Sequence, residues 1–96
     1  MIRHVVLFTF SDDATDDDKA AIAAGLDRMA ELDCVSSFSH GPDAGLVDGN
    51  WDYTVVADFE DAPAYGVYAN DADHLALIAD VIKPAISGRA AVQFQI

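Results

Sequence analysis

The chain has 96 residues, 52% of them hydrophobic, which suffices for one small domain (1–96) with a single core. Seventeen acidic residues, mostly Asp, stand against five basic ones, and the net charge of −12 argues against nucleic acid or an anionic membrane surface as partner, because phosphate binding needs Lys and Arg. The lone Cys34 excludes an internal disulfide, the N-terminal apolar run is too short for a signal peptide, and no run approaches membrane-spanning length, so a soluble, cytoplasmic protein is expected.

Residues 2–10 predict a strand, rich in Val, Ile and Phe. Ile2, His4, Val6, Phe8 and Phe10 lie on one face, and Arg3, Val5, Leu7 and Thr9 on the other. Apolar side chains on both faces fit a strand covered on both sides. A small domain covers one sheet face with its own helices, so the second face points to another subunit and a homodimer is expected. A helix follows over about 15–32, with Thr15 as N-cap and Asp16, Asp17 and Asp18 in its first turn, where the helix dipole favours negative charge. That Asp cluster reads as a solvated helix start, not a metal site. Ile22, Leu26 and Met29, with Ala23 and Ala30 beside them, form the apolar stripe.

Residues 35–41 read as a weak strand with three serines, and 41–50 as a turn-rich connection. Residues 51–59 alternate clearly: Trp51, Tyr53, Val55, Ala57 and Phe59 share a face, with Asp52, Thr54 and Asp58 opposite. Trp51, Tyr53 and Phe59 are expected in the core or a dimer interface. Asp61 caps a short helix with Pro63 in its first turn. A further helix is expected from about Asp71 to Lys83–Pro84, with Leu75, Ile78, Ala79 and Ile82 as its buried set. Ser87–Gly88 then turns the chain into a last strand in which Ala90, Val92, Phe94 and Ile96 share a face. The order β-α-β-β-α-β predicts an α+β, ferredoxin-like fold, a four-stranded antiparallel sheet with both helices on one face.

The most informative stretch chemically is 65–78, Y-G-V-Y-A-N-D-A-D-H-L-A-L-I. On one unbroken helix Tyr68 and His74 would point about 240° apart. A kink at Asn70–Asp71 would instead bring the Tyr68 hydroxyl and the His74 ring into one pocket. His74 lies in the first turn after the Asp71 cap, where the dipole disfavours imidazolium and leaves a neutral ring able to accept a proton. Taking a proton from between two carbonyls requires such a base and a donor for the enolate oxygen, which a phenol supplies. The plainer reading is a His74 that caps the helix or bonds a carbonyl in a small core, with Tyr68 packed beside it. His4 on its apolar face reads first as a satisfied core residue, and beside His74 as a pocket wall. His40, next to Gly41–Pro42, reads as a surface residue. The three histidines have no metal-ligand spacing, Cys34 has no base near it in sequence, and no phosphate loop, nucleotide fingerprint or Ser-His-Asp pattern is present. No metal or cofactor is expected.

The opening M-I-R-H-V-V-L-F-x-F, the helix start T-D-D-D-K, the strand W-D-Y-T-V-V-A-D-F and the Y-x5-H of Tyr68–His74 followed by K-P resemble the stress-responsive dimeric α/β-barrel (Dabb) family over essentially the whole chain. The resemblance implies homodimers whose sheets pack face to face into a barrel. In one branch, similar to olivetolic acid cyclase, a linear poly-β-ketone is closed by aldol condensation. That likeness implies His74 as general base, Tyr68 as the group that hydrogen-bonds the substrate oxygen, and His4 in the pocket. Two departures stand out: the family often reads H-P-x-H where this chain has Asp71 and Ala72, and a carboxylate that orients the catalytic imidazole from the last strand is here Gln93. Glutamine accepts a hydrogen bond but cannot stabilise an imidazolium as a carboxylate does. The candidate set is therefore His74 and Tyr68 as catalytic pair, with His4, Tyr65 and Gln93 as ligand-binding residues. The expected function is a dimer that binds a small apolar or carbonyl-rich ligand between sheet and helices. The alternative is a cofactor-independent cyclase or lyase; a monooxygenase on the same general fold would need a similar pocket.

Overall fold

The computed structural model describes residues 1–96. Strand β1 (Ile2–Phe10), helix α1 (Asp16–Met29), β2 (Ser37–Pro42), β3 (Tyr53–Phe59), α2 (Ala62–Ala69), α3 (Ala72–Leu77) and β4 (Ile86–Gln95) follow one another in that order. The four strands form one antiparallel sheet in the order β2-β3-β1-β4. This is the ferredoxin-like topology expected from the sequence.

Helix α1 starts where its caps dictate. The Thr15 hydroxyl accepts from the Asp18 N–H, and the Asp18 carboxylate accepts from the Thr15 N–H, a reciprocal capping box. Its buried residues are Ile22, Gly25, Leu26 and Met29. These meet β1 and β3 in a core that includes Val6, Phe8, Tyr53, Val55, Ala57 and Phe59. Gly25 is where α1 touches α3: a Cβ there would lie 2.2 Å from Leu77 Cδ1 and 3.2 Å from Leu77 Cγ. Gly25→Ala should therefore destabilise the fold by about 1 kcal/mol net, overpacking outweighing the better helix propensity of alanine. Chemical denaturation reads this, and the loss should shrink in a Leu77→Val background; an unchanged or higher stability would show that the helices part without cost.

The second half departs from expectation in three places. The segment after Asp71 is not one helix. After α3 it widens into a π turn over Ile78–Ile82, closed by the Lys83 N–H donating to the Ile78 carbonyl, then tightens into a 3₁₀ turn at Lys83–Ala85. Lys83 keeps a right-handed helical backbone (φ −52°, ψ −44°) despite preceding proline. Pro84 has no N–H for the Asp80 carbonyl and its ring would press on it, and the wider turn relieves that conflict. The expected apolar stripe is also out of phase: within α3 Leu77 is buried against Gly25 of α1, whereas Leu75 is 50% exposed, and Ala79 beyond it faces solvent.

Ser87 and Gly88 do not form a turn but lie within β4, where Ser87 is the extra residue of a bulge opposite Thr9 and Phe10. The Ser87 and Thr9 hydroxyls are 2.9 Å apart. Trp51 precedes β3 and leaves the face of Tyr53 and Phe59. Its ring passes 3.6 Å from where a Gly88 Cβ would stand, an ordinary van der Waals contact, and the closer neighbour there is the Thr9 hydroxyl at 3.1 Å.

The helices cover only one face of the sheet. The other carries Val5, Leu7, Val56, Val92 and Phe94, as the pairings Val5↔Val56 and Val5↔Val92 require. Val92 and Phe94 are 55% and 45% exposed. At one corner of this face Asp58 accepts from Arg3 Nε (2.8 Å) and from the Ser37 hydroxyl (2.8 Å). The Arg3 hydrogen bond, above all, holds the Asp58 carboxyl down at about 2. No helix is long and apolar enough to cross a membrane.

Candidate functional site

The site forms where the helical segment breaks. Helix α2 ends at Ala69; Asn70 (φ −102°, ψ 3°) and Asp71 (φ −61°, ψ 133°) leave the helical region, and α3 begins at Ala72. The Asp71 carboxylate caps the new helix by accepting from the His74 N–H at 3.0 Å. The break turns Tyr68 and His74 toward each other, and their ring centroids are 4.1 Å apart at 37°. From β1, His4 brings its ring to 6.2 Å from Tyr68 and 5.1 Å from Tyr65.

His4, Tyr65, Tyr68 and His74 all line one open cavity of about 380 Å³ between the sheet and the helices. Its remaining wall is largely aliphatic and aromatic, including Val6, Phe8, Leu26, Ile78 and Ile82. Gln93 does not line it. It stands opposite His4 across the β1–β4 ladder, and its side-chain amide donates to His4 Nδ1 at 2.8 Å. An amide nitrogen only donates, so Nδ1 accepts and the His4 proton sits on Nε2. Gln93 thus orients His4, not the imidazole of His74, where the resemblance would have put the partner of the last-strand carboxylate.

Both imidazoles are held neutral. Burial, then the nearby Arg89 charge and His74, push His4 down to about 4. Burial also lowers His74, opposed by the carbonyls of Ala69 and Tyr68 and by Asp71. Those carbonyls lie beside the ring without a well-formed hydrogen bond to it, since the buried His74 Nδ1 has no partner. Burial raises the Tyr68 phenol, which therefore stays protonated and able to donate. The pair is one neutral base and one neutral acid on a shared wall.

The lowered His4 pKa has a consequence for stability. The unfolded chain takes up a proton near its ordinary value of 6.5, and the folded chain resists until about 4. The unfolded state then binds more protons, so stability is present above 6.5 and is lost as pH falls toward 4. Discounted for solvent in the open cavity, the loss between about pH 7 and pH 5 should be about 1–2 kcal/mol. Denaturation at the two pH values should show a clearly smaller drop for His4→Gln; equal drops in both proteins would contradict a His4 kept uncharged by burial.

Lys83, Ile86 and Arg89 also line the cavity and were not singled out from the sequence. Period two places Arg89 on the face of Gln93, a signal visible only once β4 is extended back through Gly88. His40, expected at the surface, is instead a bridge: its Nε2 is 2.6 Å from Asp27 Oδ1 on α1, and its Nδ1 is 2.7 Å from the Tyr53 hydroxyl. Alternation along β2 turns it under α1, away from the cavity.

The sequence profile of the Dabb family, the stress responsive A/B barrel domain, matches residues 2–96. No curated protein matches the chain. Among solved structures, it is similar to a dimeric ferredoxin-like protein of unknown function from Thermobifida fusca, with 34% identity and a TM-score of 0.91 over 99% of this chain and 90% of that one. A Dabb family protein with a ferredoxin-like fold from Mesorhizobium loti shares 19% identity, with a TM-score of 0.83 over 99% of this chain and 95% of that one. A dimeric ferredoxin-like protein of unknown function from Jannaschia sp. shares 22% identity, with a TM-score of 0.82 over 99% and 98% of the two chains. The helix break, the helix-covered antiparallel sheet and the profile match along nearly the whole sequence lead to one conclusion: the chain belongs to the Dabb family.

Proposed function

We propose that the protein is a homodimer in which each chain binds a small, largely apolar, carbonyl-containing molecule in the cavity between sheet and helices. The observation that carries this reading is the open cavity of about 380 Å³ with a mainly apolar wall and the neutral Tyr68–His74 pair on it. A filled core would leave no such space. The dimer is supported by the uncovered apolar sheet face and by the dimeric state of the Thermobifida fusca relative. A cytoplasmic setting is supported by the lone, unpaired Cys34.

A second reading, a cofactor-independent cyclase or lyase, is favoured by the closeness of the Tyr68 and His74 rings. His74 takes a proton from the carbon between two carbonyls, and the Tyr68 hydroxyl donates to the oxygen on which enolate charge develops. The enolate carbon attacks a further, non-adjacent carbonyl of the same molecule, forming the carbon–carbon bond. The resulting alkoxide recovers the proton from the His74 imidazolium.

Benzoylacetone in deuterated buffer separates the two readings. Shifted imidazole resonances of His4 and His74 report binding, and deuterium entering the central methylene reports proton abstraction. Binding with enzyme-accelerated exchange supports the catalytic reading, and binding at the buffer rate leaves the binding protein. Neither signal, with benzoylacetone and with aliphatic β-diketones alike, would remove the cavity as a ligand site.

A further inference from the structure

We propose that the ligand carries a carboxylate, held at the cavity mouth by Arg89 and Lys83 while its apolar body fills the space beneath. This rests on the cavity being a ligand site, as argued above. The distribution of charge carries it. The chain has seventeen acidic and only five basic residues, yet two of those five line this cavity and none of the acids does. A random sample of this surface would give the opposite sign.

Neither cation is used by the fold. The ion pairs within the chain are Arg3–Asp58 and His40–Asp27, so Arg89 and Lys83 stand without an acidic partner. Both residues are exposed yet line the same cavity, and the Arg89 charge lies near enough to His4 and His74 to lower the pKa of each. Arg89 sits on β4 opposite Phe8, and Lys83 enters the 3₁₀ turn that leads into that strand. A planar guanidinium beside a flexible ammonium suits a carboxylate, which the fork of Arg binds through two oxygens and Lys binds as a point charge. The two histidines do not compete for that role, because both are held neutral. Elsewhere a protein of net charge −12 repels anions, so a cationic mouth is a selective feature. Joined to the apolar wall and the Tyr68–His74 pair, it narrows the ligand class to small apolar carbonyl compounds that are also carboxylic acids.

The test is calorimetric titration of the full chain near neutral pH with para-butylbenzoate and with its uncharged counterpart, para-butylbenzyl alcohol. The acid should bind about tenfold or more tightly than the alcohol, the range for a hydrogen bond to a charged group. In the Arg89→Gln, Lys83→Gln double variant the preference should vanish through weaker binding of the acid. Both side chains are exposed, so the variant should melt with wild type, and Arg89→Gln alone should give an intermediate preference. Equal affinity for the two probes in wild type, or a preference that survives in the double variant, overturns the carboxylate inference and leaves the cavity reading standing. Failure of both probes to bind wild type overturns the cavity reading and this inference with it.

Discussion

His74→Gln is expected to slow deuterium exchange into benzoylacetone by about 10²–10⁴-fold, the usual contribution of a positioned general base, while binding changes only a few-fold. The ring of His74 lies against Tyr68, and burial keeps it unprotonated at neutral pH. His4 is the weaker candidate base: its Nδ1 is occupied by Gln93, and its pKa of about 4 makes it a poor proton acceptor. Tyr68→Phe removes only the hydroxyl and should cost about 10² in the same assay by leaving the enolate oxygen without a donor. Because the two groups act on one intermediate, the double variant should be little worse than the His74 variant alone. The lowered pKa of His74 also predicts that exchange falls off at a lower pH than an ordinary imidazole, titrating at 6.5, would give. A wild-type rate equal to buffer would end the catalytic reading. An unaffected His74→Gln would move the base role to another group.

Val92→Asp is expected to convert the protein from a dimer to a folded monomer. Light scattering should give about twice the 10.2 kDa chain mass for wild type and the chain mass itself for the variant. Val92 sits beside Val5 on the sheet face that the helices leave open, and is 55% exposed in the isolated chain. Its replacement should therefore cost the monomer less than about 1 kcal/mol. Between two such faces, each copy would bury a carboxylate without a partner, at several kcal/mol per ion, enough to raise the dissociation constant at least about a hundredfold. Phe94→Ser should weaken the dimer in the same direction by removing apolar area. A wild-type monomer, or a folded Val92→Asp variant that stays dimeric, would place the interface on another surface.

The elements that carry their own instructions were readable in advance. The alternation of Ile2–Phe10 gave its strand and its two faces, and Thr15 with Asp18 marked the start of α1 within one residue. The Asp61 and Asp71 caps located both later helix starts. Errors fell where a neighbour overrides the local rule. Pro84 normally ends a helix, but here the preceding turn widens to absorb it; before that turn, packing on Gly25 of α1 buries Leu77 and leaves Leu75 half exposed. Ser87–Gly88 looks like a turn in isolation; the ladder with β1, including Thr9 opposite Gly88, makes it strand. His40 looks exposed beside Gly41–Pro42 until α1 supplies Asp27.

Local patterns were enough for the element order, the division of each strand into two faces, and the helix break that lets Tyr68 approach His74, because strand alternation and helix capping act over a few residues. Tertiary packing was needed to make the space between those groups an open cavity and not a packed core. It also assigned Gln93 to His4, residues 89 positions apart in the chain, and gathered Arg89 and Lys83 along one cavity of a strongly acidic protein. Those outcomes depend on strand register and on the volume left between helices and sheet, quantities set by the packing of residues distant in sequence and carried by no local pattern.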